Sequence, residues 1–389
     1  MHMTKDRIYC SRCVFHSDIP GISFDQHGVC NYCHAIEDME REYPNGKEGQ
    51  PHLDKLVDDM KRAGRGRKYD CILGVSGGCD SSFLLHELVQ LGLRPLAVHF
   101  DNTWNSEIAT HNVRKMTDAL DVDLFTIVVN NKEFDDVVRS FFKARIIGLN
   151  AATDIALVST MYQAAEKYGV KYQIDAHSFR TEGISPIGYS YFDSKMISSV
   201  VERHGTTQIK TLPMLPLKDF LRWSFLLRLK RVRPMYYMEY DKEQAKSMLA
   251  DTYGWRWYGG HHLEDKCSAM ALSYLQPYTM GIDQRVNGYA ALVRSGQMNR
   301  EEAIAKLAVP PEYDPQLLEY FKKRLNISDQ EFERVCALPV GSPLDYETYK
   351  PDFERLRPLF WLMYKMQLVP KSFYQRYCKK MDISPRGGK

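Results

Sequence analysis

A turn rich in glycine and serine, set between an apolar strand pattern and a helical pattern, is the feature that most constrains this chain. Residues 73–82 read LGVSGGCDSS; they continue the apolar run YDCILGV at 69–75 and lead into the helical run SSFLLHELVQL at 81–91. Glycine has no Cβ to cover the backbone N–H groups, and the N-terminus of a helix attracts anions. The sequence therefore predicts a phosphate-binding loop at the end of a strand.

The predicted loop differs from two common nucleotide-binding motifs. It lacks the GxxxxGK[ST] lysine of a Walker A loop, and its glycines do not follow the GxGxxG spacing. A turn that merely caps the helix through Ser or Asp is the simpler alternative, but it accounts for only one serine. The acidic Asp80 fits an anion site if Mg²⁺ bridges it to phosphate oxygens. The predicted phosphate-binding residues are Ser76, Gly77, Gly78, Cys79, Asp80, Ser81 and Ser82.

Strand and helix patterns alternate around this loop. Further strand-like runs cover residues 95–100, 124–129 and 171–176, and helical runs cover 53–63, 134–147 and 156–168. Strands separated by helices of this length are typical of βαβ units, so we predict an α/β fold with a doubly wound parallel sheet. In such sheets, ligands bind at the carboxyl ends of the strands.

The chain divides into three predicted regions. Residues 1–50 form a cysteine-bearing head and a linker, because the polar stretch PNGKEG at 44–49 is typical of a flexible connection. Residues 51–210 carry the alternation of strands and helices. Residues 211–389 lose that alternation and contain long helical patterns with many aromatic residues, so we expect this region to be mostly helical.

Four of the nine cysteines form two CxxC pairs near the N-terminus, Cys10 with Cys13 and Cys30 with Cys33. Two such turns supply the four thiolates of a zinc knuckle, whereas a redox CxxC would occur once and open a helix. Because cysteine fills all four positions, none remains for water, and we predict a structural Zn²⁺ ion.

Composition argues against several classes of protein. The chain begins without an apolar leader, and no stretch of 18 residues is free of charged side chains, so we expect a cytoplasmic protein without a membrane span. Lys and Arg number 52 against 49 Asp and Glu. This near-neutral balance does not favour nucleic acid as a partner.

The segment SGGCDSS after the first strand resembles the PP-loop of the ATP pyrophosphatases, the adenine nucleotide α-hydrolase-like group. The resemblance implies that the protein binds ATP and Mg²⁺, releases pyrophosphate into the loop and transfers AMP to a carbonyl-type oxygen. It also implies that Phe100, Asp101 and Asn102, at the end of the second strand, lie near the adenosine. Asp101 is then a ribose or metal partner, although a helix N-cap is an equally good interpretation.

Many PP-loops carry lysine where this chain has Cys79. The departure leaves the pyrophosphate short of one cation, for which another basic side chain would have to compensate. The sequence does not choose among the candidates, which are Arg180, Lys195, Arg203 and Lys210.

Over about residues 8–310 the chain is similar to the N-acetyl sugar amidotransferase family, the WbpG-like proteins of lipopolysaccharide O-antigen biosynthesis. The segments that carry this similarity, besides the CxxC pairs and the loop, are HFDNTWNSE, DAHSFRTEG, YGGHHLEDK and GIDQRVNGYAALVRSGQMNREEA. The resemblance implies an ATP-dependent amidotransferase that converts the N-acetyl group of a nucleotide-activated sugar to an acetamidino group through an adenylylated intermediate.

We expect Asp80, His177 and Arg180 to take part in catalysis, since the last two follow the fourth strand and reach the same crevice. His177 is a candidate for an ammonia or phosphate contact, but a histidine satisfied by backbone at a strand end is an equally good interpretation. For His261, His262 and Glu264 we expect a substrate or ammonia-gate role or structural packing, in preference to a second metal site. We expect Arg285 and Arg294 to contact phosphates or a carboxylate of the sugar nucleotide.

Basic and aromatic residues interleave at 222–233. RNA binding and a surface for membrane or partner docking are two interpretations, and a solvated basic face of an amphipathic helix is the simplest.

The source of ammonia is a separate question. A glutaminase needs an N-terminal cysteine or a cysteine on a GxCxG elbow, and none of the nine cysteines has either setting. We therefore predict that a separate triad-type glutaminase docks on the chain and supplies ammonia, as the resemblance also implies.

Two other functions remain open from the sequence. The loop also fits a tRNA-modifying enzyme, either a thiolase or a lysidine-type ligase, in which the knuckle grips RNA. A nucleotide-binding scaffold without catalysis would bind ATP and release no pyrophosphate.

Overall fold

The computed structural model describes residues 7–186, 191–260, 262–366 and 368–379. Its centre is a parallel sheet of five strands, which are β1 (Cys71–Gly74), β2 (Pro95–Asp101), β3 (Leu124–Val128), β4 (Tyr172–Ile174) and β5 (Lys230–Val232). The strand order is β3-β2-β1-β4-β5, and every neighbouring pair is parallel.

Helices surround the sheet and fill the C-terminal half. Those up to β4 are α1 (Asn31–Glu42), α2 (Gly46–Ala63), α3 (Cys79–Gln90), α4 (Glu107–Ala119), α5 (Asn131–Ala144) and α6 (Ala151–Tyr168). The next are α7 (Ser194–His204), α8 (Leu217–Leu221), α9 (Lys242–Tyr253), α10 (Lys266–Met270), α11 (Arg285–Arg294) and α12 (Arg300–Ala308). The last are α13 (Pro315–Arg324), α14 (Asp329–Cys336), α15 (Lys350–Arg355), α16 (Arg357–Lys365) and α17 (Lys371–Phe373).

Short segments of other helix types complete the description. The π-helical segments are Arg222–Leu226, Ala271–Met280 and Tyr374–Cys378, and the 3₁₀ turns are Pro234–Tyr236 and Pro343–Asp345. The predicted helical character of the C-terminal region is confirmed, because β5 is the only strand after residue 210 among the described residues.

Side chains along β1 alternate between two apolar layers. Cys71 and Leu73 pack with Leu84 and Leu88 of α3 on one face, whereas Ile72 packs with α6 on the other face. Apolar burial on both faces is the reason that the strand reads as a continuous apolar run. The predicted doubly wound α/β fold is confirmed.

The order in which strands are added reverses beside β1, while all five strands stay parallel. The chain moves outward from β1 to β2 and β3, and then returns to place β4 and β5 on the other side. Leu73 accordingly pairs with Ala97 of β2 and with Ile174 of β4. Open α/β sheets bind ligands at such a switch point, beyond the carboxyl ends of the strands.

The basic run at 222–233 is not the solvated helix face that was the simplest interpretation. Arg222 and the indole N–H of Trp223 bind Glu166, at 2.5 and 2.7 Å respectively, and the Trp223 ring stacks on Tyr162. The next residues form β5, so the sheet extends beyond residue 210, the predicted end of the middle region. The predicted region boundaries themselves remain predictions.

The stretch at 44–49 is not a flexible linker, because α2 begins at Gly46. Gly49 is buried within it, and a Cβ there would lie 2.7 Å from the carbonyl oxygen of Tyr237. Close approach of two backbones, rather than flexibility, therefore explains this glycine.

The N-terminal knuckle, residues 10–33, packs on the C-terminal region. Its Phe15 and Ile19 share an apolar cluster with Val286 and Ala290 of α11 and Ala303 of α12. Within the described part of the chain, no helix combines the length and apolar character that a membrane span requires.

Candidate active site and metal centre

The phosphate loop, residues 76–82, lies between β1 and α3 at the switch point of the sheet. Gly77 has φ +82°, and a Cβ on it would lie 2.2 Å from the carbonyl oxygen of Ala109. The Gly77 carbonyl oxygen accepts hydrogen bonds from Asn112 Nδ2 at 3.2 Å and Trp255 Nε1 at 3.1 Å. Only glycine fits this position, and two side chains fix the orientation of its peptide group.

The N-terminus of α3 has no side-chain cap. Gly78 occupies the N-cap position and makes no side-chain hydrogen bond there. Its own N–H donates to Ser76 Oγ at 3.2 Å, and Ser81 Oγ lies 3.5 Å from Ser76 Oγ. The simple capping alternative is therefore wrong, and the positive end of the helix dipole faces the loop.

Asp80 is held by the side chains of Lys242 and Tyr240, which no local sequence pattern indicates. Lys242 Nζ lies 2.9 Å from its Oδ2, and the hydroxyl of Tyr240 donates to its Oδ1 at 2.8 Å. Burial would raise the pKa of Asp80, but the charge and hydrogen bond of Lys242, with help from Tyr240, keep it below its ordinary value. Each carboxylate oxygen of Asp80 thus has one protein donor, and the role of Asp80 towards Mg²⁺ stays a prediction.

Lys242 is the basic side chain that the structure brings to the loop, where it pairs with Asp80. Among the four substitutes proposed from the sequence, Arg180 donates to two backbone carbonyls, Lys195 pairs with Glu347 and Arg203 lies over the Tyr346 ring, and the contact of Lys210 with Glu133 is through its backbone N–H. Lys242 starts α9, 162 residues after Asp80. The fold brings the two together, and no local spacing signals the pair.

The thiol of Cys79 packs into the protein. It is fully buried, and its sulfur lies 3.5 Å from the Tyr240 hydroxyl, whose proton is donated to Asp80. Burial first, and then the charge of Asp80, raise the pKa of Cys79 to about 11. The side chain is therefore a neutral packing group.

The residues after β2 brace the crevice. Asp101 Oδ1 accepts from the backbone N–H of Thr103 at 2.8 Å, and Ser106 caps α4, so the N-cap interpretation of Asp101 is wrong. Asn102 Nδ2 donates to Asp265 Oδ2 at 2.8 Å. Phe100 is buried in the apolar core. Asn102 thus connects the end of β2 to the turn before α10.

His177 is fixed by a chain of hydrogen bonds. Its Nε2 faces the carbonyl oxygen of Gly183 at 3.1 Å, and a carbonyl only accepts, so the proton is on Nε2. Nδ1 then accepts from the hydroxyl of Tyr236 at 3.2 Å, and that oxygen accepts from Arg233 Nη1 at 3.0 Å. Burial and the charge of Arg233 lower the pKa of His177 to about 4.

This arrangement favours the structural interpretation of His177, because both ring nitrogens are engaged and the ring is neutral. Arg233 and Arg231 also bind Asp175, at 2.9 and 3.0 Å from its Oδ2. The basic residues of β5 thus anchor the segment that follows β4.

Arg180 lies one turn further along that segment. It donates to the carbonyl oxygens of Tyr236 and Tyr43, and it lines a polar cavity of about 290 Å³ together with Tyr240 and Gln297. Since Tyr240 also binds Asp80, this cavity adjoins the loop.

Two groups from the segment before α10, Glu264 and His262, approach the loop. A Cβ on Gly78 would lie 3.3 Å from Glu264 Oε1, which shows how close this carboxylate comes to the loop. His262 Nδ1 is 3.8 Å from the same oxygen. Partial burial lowers the pKa of His262, but Glu264 and the charge of Glu182 raise it to about 9. His261 lies outside the described residues.

Arg285 and Arg294 are engaged away from the loop. Arg285 binds Asp283 and the carbonyl oxygen of Val309. Arg294 donates to the sulfurs of Cys33 and Cys13, at 3.3 and 3.2 Å. The structure therefore gives Arg294 a role at the knuckle instead of the substrate contact expected from the sequence.

The four knuckle cysteines form a compact cluster of thiols. Three sulfur–sulfur distances are 3.8 Å (Cys10–Cys33), 3.8 Å (Cys13–Cys30) and 3.6 Å (Cys30–Cys33), and all four sulfurs lie within 4.8 Å of one another. A tetrahedral zinc ion with Zn–S bonds of about 2.3 Å requires sulfur–sulfur edges of about 3.8 Å. The cluster has the size that a single tetrahedral ion needs.

Basic side chains of α11 and α12 surround the cluster. Besides the two contacts of Arg294, the Arg300 guanidinium donates to the carbonyl oxygens of Cys10, at 2.8 Å, and Cys13. Four thiolates around a divalent ion carry a net charge of −2, so these guanidinium groups offset charge that the buried cluster would otherwise hold. The knuckle and α11 form one structural unit.

Comparison with known families concerns a segment of the C-terminal region. Residues 264–359 match a family model described as LPS biosynthesis protein WbpG-like, C-terminal domain. The matched segment includes Glu264 and Asp265 at the loop and both arginines at the knuckle, so it contributes to both sites.

Whole-chain comparisons are more distant. The chain is 24% identical over 306 residues to an uncharacterized protein, MJ1599, of Methanocaldococcus jannaschii, which covers 77% of this chain and 93% of that protein. NMN synthetase from Francisella tularensis is 13% identical, with a TM-score of 0.34, over 73% of this chain and 95% of that one. The U34-tRNA thiolase NcsA from Methanococcus maripaludis, with its [4Fe-4S] cluster, is 11% identical with a TM-score of 0.31, over 88% and 99%.

Proposed function

We propose that the chain is an ATP-dependent amidotransferase of surface polysaccharide (O-antigen) biosynthesis. It converts the N-acetyl group of a nucleotide-activated sugar to an acetamidino group through an adenylylated intermediate, and it works in the cytoplasm. ATP, Mg²⁺ and a structural Zn²⁺ are its cofactors, and a separate triad-type glutaminase supplies ammonia.

One observation carries the proposal: the segment that matches the WbpG-like family model begins beside the phosphate loop. Its first two residues are Glu264, whose Oε1 would lie 3.3 Å from a Cβ on Gly78, and Asp265, which accepts from Asn102 after β2. The backbone carbonyl of Glu264 also accepts from Ser106 at 2.8 Å. Contact of this segment with the loop supports a joint function of the two.

The loop suits the first half of the reaction. An amide carbonyl becomes a competent electrophile when its oxygen attacks the α-phosphorus of ATP, since AMP is a better leaving group than the oxygen alone. That step needs anion stabilisation and orientation rather than a protein nucleophile. The N-terminus of α3 and the Lys242 ammonium supply positive charge, and Mg²⁺ bound with the ATP phosphates would add further charge neutralisation.

The knuckle suits a structural zinc ion. Its thiolates are buried, all four positions are cysteine, and the sulfur–sulfur edges match one tetrahedral ion. An iron–sulfur cubane binds each cysteine at a separate iron corner and would hold the sulfurs further apart.

The remaining cysteines support an external source of ammonia. Cys71, Cys79, Cys267 and Cys378 are buried, and Cys336 is partly buried on α14. Burial raises the pKa of the thiols at Cys71, Cys267 and Cys378, which is the opposite of what a glutaminase nucleophile needs.

Mass spectrometry of nucleotide sugars after incubation with ATP, Mg²⁺ and ammonium tests the proposal. Amidination replaces oxygen with NH, so an acceptor should lose about 1 Da while AMP and pyrophosphate appear in equal amounts. Pyrophosphate release that depends on RNA would instead support the tRNA-modifying alternative, and ATP binding without any release would support a scaffold. Efficient use of glutamine by the isolated chain would contradict the separate glutaminase.

A further inference from the structure

Glu182 is a carboxylate at the loop crevice that the first half of the reaction does not use. It lies in a helical turn after β4, where its backbone N–H donates to the carbonyl of Ser178 at 2.9 Å. Its side chain is 14% exposed, and its carboxylate accepts no hydrogen bond from any residue that the structure describes. The nearest ring nitrogen, Nε2 of His177, is 3.6 Å away and has its proton directed at Gly183.

The hydrogen-bond chain through His177 holds this carboxylate in place. Arg233 binds Asp175, Tyr236 connects Arg233 to His177, and His177 binds the carbonyl of Gly183, the residue next to Glu182. A Cβ on Gly183 would lie 3.1 Å from the carbonyl oxygen of Asn287, so α11 packs directly against this turn. The turn is fixed on both sides, which a group that must meet a small substrate requires.

Charges of both signs face Glu182 from every segment around it. They are Asp80 on the loop, Asp175 after β4, Lys242 at the start of α9 and His262 before α10. Burial first, and then the charge of Asp80, raise the pKa of Glu182 to about 8, against the opposing influence of Lys242 and His262. A proton acceptor works best when its pKa lies near the working pH.

We propose that Glu182 receives ammonium at the crevice and takes its proton, which makes ammonia available to attack the adenylylated acetamide. The proposal rests on the function proposed above and assigns a residue to its second half. His177, which the sequence made a candidate for this contact, has both ring nitrogens engaged and acts instead as a positioning residue for Glu182.

Ammonium gives one proton to the Glu182 carboxylate, and the nitrogen lone pair forms a bond to the acetamide carbon. The C–O bond to AMP then breaks, its electron pair leaves with the phosphate, and the departing phosphate takes one further proton from the added nitrogen. The product is an amidinium, and Glu182 returns its proton to solvent through the crevice.

Hydroxylamine as nitrogen donor distinguishes a proton-accepting role of Glu182 from a structural or ATP-binding role. It is uncharged at neutral pH and needs no deprotonation before attack. The variant Glu182→Gln should still release pyrophosphate from ATP and acceptor without any nitrogen donor. With ammonium, its amidination rate should fall by about 10²-fold or more, as for loss of a general base. With hydroxylamine, its rate should stay close to that of the wild type. Glu202→Gln, on the exposed face of α7, is the matched control and should behave as the wild type with both donors.

The outcomes separate the two proposals. Equal losses of Glu182→Gln with both nucleophiles, or loss of pyrophosphate release, would overturn the role of Glu182 and leave the amidotransferase intact. Absence of pyrophosphate release from the wild type with every acceptor would overturn the proposed function itself. If Glu182→Gln does not fold, Glu182→Asp decides: a loss confined to ammonium supports the proposal, and an equal loss with both donors contradicts it.

Discussion

The phosphate loop and the cysteine knuckle each set cationic side chains against buried anionic groups, yet they differ in what they leave open. At the knuckle, all four sulfurs point at one centre and Arg294 contacts two of them from outside. At the loop, the first N–H groups of α3 have no cap, and Glu182 has no hydrogen-bond donor among the described residues.

This difference separates a structural site from a chemical one. A closed site with every polar group satisfied contributes stability and has no position for a substrate. An open site holds groups that are satisfied only when a ligand arrives, at a cost to the stability of the free protein. Variants at the knuckle should therefore affect stability most, and variants at the loop should affect activity most.

The largest effect should come from the metal. Replacing Cys30 with serine removes one ligand, and structural zinc contributes on the order of 10 kcal/mol to the folding of small zinc domains at neutral pH. We expect the variant to lose stoichiometric zinc in elemental analysis and to unfold at a much lower temperature. Cys336→Ser, outside the cluster, is the control and should keep both its zinc and its stability.

The second effect tests the open site. Replacing Lys242 with methionine leaves the Asp80 carboxylate buried without its cation, which should cost about 3–5 kcal/mol in urea unfolding and abolish pyrophosphate release. The double variant Asp80→Asn with Lys242→Met should recover most of the stability but none of the activity. Lys218→Met, at an exposed position, is the control. Recovery of activity in the double variant would contradict a catalytic role for the pair.

The third effect concerns pH. Because the pKa of Glu182 is raised to about 8 in the folded chain, its proton is held more tightly there than in the unfolded chain. Its contribution to stability is complete below the unfolded pKa of about 4.3 and is lost as the pH rises towards 8. Glu182→Gln should therefore be more stable than the wild type at pH 8, by on the order of a few kcal/mol. The two unfolding curves should converge near pH 4, and a constant difference across pH would show that Glu182 has no such shift.

The fourth effect concerns Arg294, the basic residue that contacts the sulfurs of the knuckle. Replacing Arg294 with methionine removes both N–H donors to Cys13 and Cys33, so zinc affinity measured by chelator competition should fall by about 10–100-fold. Arg294→Lys should fall less, because it keeps the charge. Arg285→Met, on the same helix but bound to Asp283, should leave zinc affinity unchanged.

Local patterns in the sequence predicted both sites but not the contacts between distant segments. The loop between β1 and α3 and the four cysteines were identifiable because their residues are close in sequence. The Lys242–Asp80 pair was not, since 162 residues separate its members and only the sheet brings them together.

The wrong interpretations have the same origin. A short strand such as β5 shows no helical or alternating period, and the sequence does not show that the nearby arginines bind Asp175, which follows β4. Nor does it show that α11 packs on the knuckle, which is why it predicts a substrate contact for Arg294. Gly46 and Gly49 suggest a linker, since nothing local shows the Glu239 side chain and the Tyr237 backbone that pack against them.

The smallest effects are expected at two glycines, one in the phosphate loop and one in α11 beside the knuckle. Gly77→Ala forces a residue with a side chain to φ +82° and against Ala109, which should cost about 1–3 kcal/mol and reduce pyrophosphate release. Gly288, in the middle of α11, has no neighbouring atom within 4 Å of an added Cβ. Gly288→Ala should stabilise the chain by about 0.5–1 kcal/mol, because alanine loses less conformational freedom in a helix. If both variants changed thermal stability in the same direction while activity stayed constant, the loop glycine would have no special function, and the contrast between the open and the closed site would fail at its simplest test.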